Sequence, residues 1–165
     1  MNAAPAAPSA PAALAEELLA VTFRMGDAVF GLDAVAVEEV VRPGEVTALH
    51  QAPPDVVGIR NLRGRIVTIL DCGTRLGLGP VRRGPDNRIL IAEAGGEPVG
   101  LLVECVLDSI SVSTAALAQP PANLHLARTA TVRGLCRHEG RLIALLDLDV
   151  LLAGEDPATG TQRNA

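Results

Sequence analysis

Aromatic residues are almost missing. The 165 residues include two Phe and neither Tyr nor Trp. Any core must therefore be aliphatic, and a surface that binds bases by stacking has nothing to stack them on. Lysine is absent too: all fourteen basic residues are arginine, set against nineteen acidic ones, for a net charge of −5. An acidic chain lacks the positive field that binding to phosphates requires, so no nucleic-acid partner is expected. Three widely spaced cysteines, Cys72, Cys105 and Cys136, form no Cys-x-x-Cys pair and no zinc spacing. Free, partly buried thiols are expected. No apolar run nears the roughly 20 residues of a membrane-spanning helix. The N-terminus has neither the basic start nor the apolar block of a signal peptide. These absences point to a cytoplasmic protein with no direct membrane insertion.

Catalytic motifs are missing as well. There is no G-x-S-x-G elbow, no phosphate-binding GxxxxGK[ST] loop and no H-E-x-x-H. Gly77-Leu78-Gly79 lacks the third glycine and the strand-to-helix setting of a dinucleotide site. His50, His125 and His138 fall in predicted loops or turns, and only His138, beside Glu139, has a neighbouring carboxylate. No cofactor and no metal are expected. Asp71 and Asp147 are paired carboxylates and could serve acid–base chemistry in a small all-β enzyme. Each ends a predicted strand in its own copy of a repeat, so capping the following turn is the better reading. The chain is read as a non-enzyme.

What is present is a repeat. Gly58, Gly64, Arg65, Leu70 and Asp71 recur as Gly134, Gly140, Arg141, Leu146 and Asp147, all at a shift of 76 (134 − 58). The opening of each half recurs also: Gly26, Gly31, Leu32 and Val37 match Gly95, Gly100, Leu101 and Val106 at a shift of 69 (95 − 26). Self-similarity of this kind implies one domain built from two similar halves, about 19–80 and 88–154. Short β-branched runs punctuated by Gly and Pro predict an all-β fold of two similar barrels in contact. Strands are expected at 19–25, 28–32, 56–60, 66–70, 88–92 and 98–103, with 34–41 continuing as strand after a bulge or short turn and a short extended piece at 45–50. A single helical turn is expected over 72–78, a capped helical turn at 113–117, and a helical segment over 146–153. Residues 79–87 read as an exposed linker. The Ala/Pro-rich stretch 1–18 reads as a disordered tail, and 155–165 as a polar tail, leaving 19–154 as the domain.

The stretch from Val57 to Asp71 organises the rest. It reads as a hairpin whose tip holds Asn61, Leu62, Arg63 and Gly64. Gly64 can take the positive φ of a tight turn, and Asn61 can bond the turn backbone. Arg60, Arg63 and Arg65 cluster there. Arg60 and Arg65 occupy strand positions, whereas Arg63 sits in the turn. The second copy has Glu139 where the first has Arg63. A purely structural arginine should tend to recur, so Arg63 is a candidate for protein recognition.

Three blocks of the sequence resemble the CheW-like domain of bacterial chemotaxis. They are Phe23 to Leu32, Val37 to Val40, and Gly58 to Asp71 with its Asn-Leu-Arg-Gly core, and the closing Leu-Leu-Asp-Leu-Asp-Val-Leu-Leu segment fits too. The resemblance covers about residues 19–154. It implies two five-stranded SH3-like barrels around a shared core, and a coupling protein without catalysis. Its partners would be the regulatory domain of a CheA-type histidine kinase and the cytoplasmic tip of chemoreceptors. By the same resemblance Arg63 lies in a receptor-binding groove, with Val37, Glu39, Gly58 and Gly100 lining or supporting it. Two alternatives stand beside this: an adaptor of a non-flagellar chemosensory pathway, such as twitching motility, and the small enzyme using Asp71 and Asp147.

Overall fold

The computed structural model describes residues 16–122 and 129–153. Its strands are β1 (Glu17–Met25), β2 (Ala28–Asp33), β3 (Glu39–Val41), β4 (Val56–Leu62), β5 (Arg65–Asp71), β6 (Arg88–Ala94), β7 (Glu97–Val103), β8 (Cys105–Ser113), β9 (Val132–His138) and β10 (Arg141–Leu146). Short helices α1 (Cys72–Arg75) and α2 (Leu148–Ala153) follow β5 and β10. The expected all-β class is observed, with five strands in each of two sheets.

The assignment of strands to sheets was not legible from the repeat. The first sheet runs β8-β1-β2-β10-β9 and the second β3-β6-β7-β5-β4. Neither half of the sequence makes a sheet by itself. Each lends its opening hairpin to the other half: β1–β2 joins β8, β9 and β10, while β6–β7 joins β3, β4 and β5. The chain changes sheets at a 3-10 turn, Ala34–Ala36. There the Asp33 side chain accepts a hydrogen bond from the Val35 amide, and the Val37 amide closes onto the Ala34 carbonyl.

The exchanged hairpins dock through the two parallel pairings of the fold, β2 with β10 and β7 with β5. In one, Leu145 lies opposite Gly31; in the other, Ile69 lies opposite Gly100. These are the same positions of the two repeats, so the lobes are related by an approximate two-fold axis. Each sheet then curls. The segment after its edge strand bridges back to the opposite edge, Thr47 to Ile59 in the second sheet and Ala118 to Leu135 in the first.

The core is aliphatic, as composition requires. Its larger cluster joins the sheets: Phe23, Leu32, Leu135 and Leu146 of the first sheet meet Ile69, Leu70, Ile89, Leu90 and Leu102 of the second. Phe23 and Phe30, the two aromatic residues, stack with centroids 5.8 Å apart. A smaller cluster of Ala20, Val29, Ile110, Val112, Ile143 and Leu145 fills the first sheet's own concavity. Each fully buried Leu or Ile contributes roughly 1.5–3 kcal/mol through removal from water.

Several boundaries differ from expectation. The first strand begins at Glu17, not residue 19. The stretch 34–41 opens with the expected short turn, a 3-10 turn, but the strand after it has only three residues. The 45–50 piece pairs through Thr47 alone. Leu146 closes β10, and α2 starts two residues later. The expected turn at 113–117 is the 3-10 turn Thr114–Ala116, without a side-chain cap bond. The Thr114 hydroxyl ties the turn to the chain start, donating to the Glu16 carbonyl and accepting from the Glu16 amide. The 79–87 linker exposes residues 82–86 but is pinned at both ends. The Val81 amide donates to the Asp71 carboxylate, and the Asn87 side chain donates to the Arg82 and Glu104 carbonyls. Residues 1–15 and 155–165 of the tail readings, and His125, lie outside the described residues, whereas Glu17 and Leu18 of the 1–18 tail reading belong to β1.

Candidate functional site

Arg63 and Gly64 form the two-residue tip between β4 and β5, with φ of 52° and 87°. Positive φ at both positions gives the mirror-image turn whose twist matches the strands it joins. The Asn61 side chain accepts from the Gly64 amide at 2.9 Å, so both turn residues act as expected. The second copy repeats the geometry, with Glu139 and Gly140 at 51° and 77°. The backbone is thus duplicated while the tip side chain changes sign.

Arg63 is 68% exposed and donates to the Glu39 carboxylate on β3. Arg65 lies 3.6 Å from Glu38 and 3.9 Å from Glu93. Arg60, on the inward side of β4, donates to the Arg42 carbonyl. The three clustered arginines thus reach across from the β4–β5 hairpin to residues 38–42 on the opposite edge of the sheet. Sequence reading named Glu39 through the resemblance but missed Glu38, Glu93 and the Arg42 carbonyl. Pairing across to the opposite edge of a five-stranded sheet leaves no local signal.

The other site residues divide. Val37, half-buried, ends the 3-10 turn beside Glu39. Ile66, next to the tip, is 56% exposed. Gly58 and Gly100 are buried and offer no contact surface; they permit close packing. A Cβ on Gly58 would sit 2.2 Å from the Thr47 carbonyl oxygen, and one on Gly100 would sit 2.6 Å from Ile89 and 2.8 Å from Ile69.

The equivalent region of the other lobe is different in chemistry. Asp108 stands where Glu39 would be (108 − 39 is the shift of 69), and Glu139 where Arg63 would be. Both line an open hollow of about 330 Å³ with Thr22, Ile110, His138 and Arg141. An ion pair joins the edges of one lobe, while two carboxylates share the hollow of the other.

Asp71 and Asp147 are occupied structurally. Asp71 accepts from the amides of Thr74, at 2.9 Å, and Val81, at 3.1 Å to each oxygen. Asp147 accepts from Val150 at 3.2 Å. Each caps the helix after its strand, the reading preferred from the sequence. Among the described residues no group of three His, Cys, Asp or Glu could hold a metal ion. No described helix is long and apolar enough to cross a membrane.

All three cysteines are free, with Cys72 buried and the others half-buried. Burial, and then the neighbouring Asp71 carboxylate, push the Cys72 thiol up to about 12. Burial also raises Cys136. Two consequences can be measured. In the native protein a thiol reagent at neutral pH should label Cys105 and Cys136 and spare Cys72 until the chain unfolds. Because the folded state keeps the Cys72 proton after the unfolded state has lost it, stability should fall as pH rises from about 9 towards 12. The slope should be about 1.4 kcal/mol per pH unit. Cys72→Ala should abolish that part of the slope; an unchanged slope in the variant would assign it to other groups.

Comparison with known proteins completes the description. Residues 19–156 match the family model of the CheW-like domain. The chain is 32% identical over 136 residues to the chemotaxis protein CheW of Rhizobium meliloti (strain 1021), spanning 82% of this chain and 88% of that protein. It is 31% identical over 99 residues to the protein FrzA of Myxococcus xanthus, spanning 60% and 62%. The crystal structure of the scaffolding protein TtCheW from Thermoanaerobacter tengcongensis superposes with a TM-score of 0.77 at 30% identity. It covers 87% of this chain and 94% of that one.

Proposed function

The chain belongs to the CheW-like domain family, and from that premise we propose how it works as a chemotaxis coupling adaptor. It bridges the cytoplasmic tip of a chemoreceptor and the regulatory domain of a CheA-type histidine kinase within a signalling array. It alters kinase activity by holding the two in one assembly and performs no catalysis itself. It works in the cytoplasm, against membrane-bound receptors. The receptor docks beside Arg63, Glu39 and Val37, with Gly58 and Gly100 setting the backbone spacing beneath them.

The observation that supports this most is the state of Arg63. Its backbone is fixed in a two-residue turn, yet its guanidinium is exposed and held by one surface ion pair to Glu39. Such pairs are worth roughly 0.2–1 kcal/mol. A partner that offers carbonyls or a carboxylate in a desolvated contact outbids so weak a tie, and a planar multidentate donor suits that exchange. A receptor movement then shifts the relative stability of two assembly states.

The test is a pair of titrations, one with a receptor cytoplasmic hairpin fragment and one with the kinase regulatory domain. Arg63→Ala should lose about 2 kcal/mol of receptor affinity, roughly thirtyfold, as a central interface arginine does. Kinase affinity and melting temperature should not change. Loss of folding in Arg63→Ala would make the residue structural, and a wild-type protein that binds neither partner would sink the adaptor assignment.

A further inference from the structure

β3 spans three residues and pairs with β6 through Glu39, Val40 and Val41, with one more bond from the Glu38 amide to the Ile91 carbonyl. A strand this short at a sheet edge is poorly held by its own ladder. It nevertheless carries Glu39, the residue that holds Arg63. The chain after it, residues 42–48, runs across the mouth of the sheet and touches β4. Thr47 and Ile59 exchange two backbone hydrogen bonds, 2.8 and 2.9 Å long. Just before that bridge, the Arg60 guanidinium donates to the Arg42 carbonyl. It also lies against Gly44, where an added Cβ would meet its Cζ and Nη2 at 3.1 Å. Gly44 has a φ of 59°, so the loop bends at the place where the guanidinium rests.

The other lobe supplies an internal comparison. Its edge strand β8 has nine residues and an extended register with β1. At the position matching Arg60 (a shift of 76) it has Cys136. The lobe with the long edge strand has a cysteine at this position; the lobe with the short one has Arg60. Arg60 and Arg63 have separate partners, the Arg42 carbonyl and the Glu39 carboxylate.

We infer that Arg60 is a positioning residue for the recognition site: by clamping residues 42–47 onto β4 it fixes the end of β3, and through it Glu39 and the Arg63 guanidinium. The inference rests on the receptor-docking role given to Arg63 above and adds what sets that side chain in place.

The experiment uses Arg60→Met, which keeps the aliphatic stem but has no donor, beside Arg60→Lys, which keeps a charge and a single donor. Amide exchange of Thr47 and Ile59 reads the clamp. Solvent exchange of the Arg63 guanidinium protons reads the ion pair. The two titrations above read function. Arg60→Met should speed all these exchanges. It should weaken the receptor fragment by about fivefold to tenfold, less than the direct loss of Arg63, and leave kinase-domain affinity unchanged. Arg60→Lys should recover most of each effect. Unchanged exchange at Thr47 and Ile59 overturns the clamp. Faster exchange there with unchanged Arg63 protons overturns the positioning role, as does equal weakening of both partners. If the wild-type protein does not bind the receptor fragment, the docking role fails, and the Arg63 proton exchange still decides whether Arg60 orders that side chain.

Discussion

Replacing Arg75 with alanine is expected to lower the unfolding free energy by about 3–5 kcal/mol, the range for breaking a buried ion pair. Only 9% of the Arg75 side chain is exposed. It pairs with Asp55 and donates to the Leu151 carbonyl, at 3.1 Å from Nε and 2.7 Å from Nη2, and to the Leu152 carbonyl at 2.6 Å. Those carbonyls belong to the last turn of α2, where no intrahelical donor remains and where positive charge is favoured. Truncation would strand a half-buried carboxylate and leave two carbonyls without donors together. Urea denaturation measures the loss. Arg75→Met in an Asp55→Asn background should cost less than Arg75→Met alone, because the stranded charge is then gone. A loss below about 1 kcal/mol for Arg75→Ala would mean that the burial is not matched by tight bonding.

The second large effect separates two residues that the repeat presents as equals. Asp71→Ala is expected to cost about 3 kcal/mol, and Asp147→Ala about 1 kcal/mol. Both cap a helix, but Asp71 is buried and also holds the Val81 amide, which is itself buried in the pinned linker. Removing its carboxylate orphans two donors, one of them away from water. Asp147 is half-buried and accepts one bond, and its loss lets water replace it. Asp71→Asn should fall between, since the amide oxygen still caps Thr74. Equal costs at the two positions would show that the Val81 bond contributes nothing.

Much of the fold could be read from residue patterns, and the reason is local. Turn chemistry placed Arg63 and Gly64 in a tight hairpin because positive φ at adjacent positions has few other solutions. Asp71 and Asp147 were assigned to capping because each stands between a β-branched run and a helical stretch. The repeat placed the two hairpins in register across a long insertion. The exchange of β1–β2 and β6–β7 could not be read, because the same period-2 pattern serves either sheet and parallel docking adds no turn signal. Arg75 escaped for a related reason. Its main contact, Leu151, is 76 positions away, the repeat shift itself, so the contact sits on the approximate two-fold axis. An arginine at both equivalent positions would bring two like charges together. The site therefore has to be asymmetric, and comparing the copies shows only a mismatch. Arg63 was legible as a tip residue, and the groups that meet its neighbours Arg60 and Arg65, namely the Arg42 carbonyl, Glu38 and Glu93, were not, since they come from the far side of the sheet.

The exchanged hairpins also determine how the molecule carries load. Two lobes that merely touched would part along their contact when tugged from opposite ends. Here β2 is hydrogen-bonded to β10 and β7 to β5, so each lobe contains a piece spun from the other's thread. Those ladders lie within a sheet, so what spans the two lobes is the shared apolar cluster and the chain itself, crossing at residues 34–38 and again at Glu104. Parting the lobes would uncover that cluster and draw both crossings taut, and the halves then stay threaded through one another until a hairpin is pulled from its sheet.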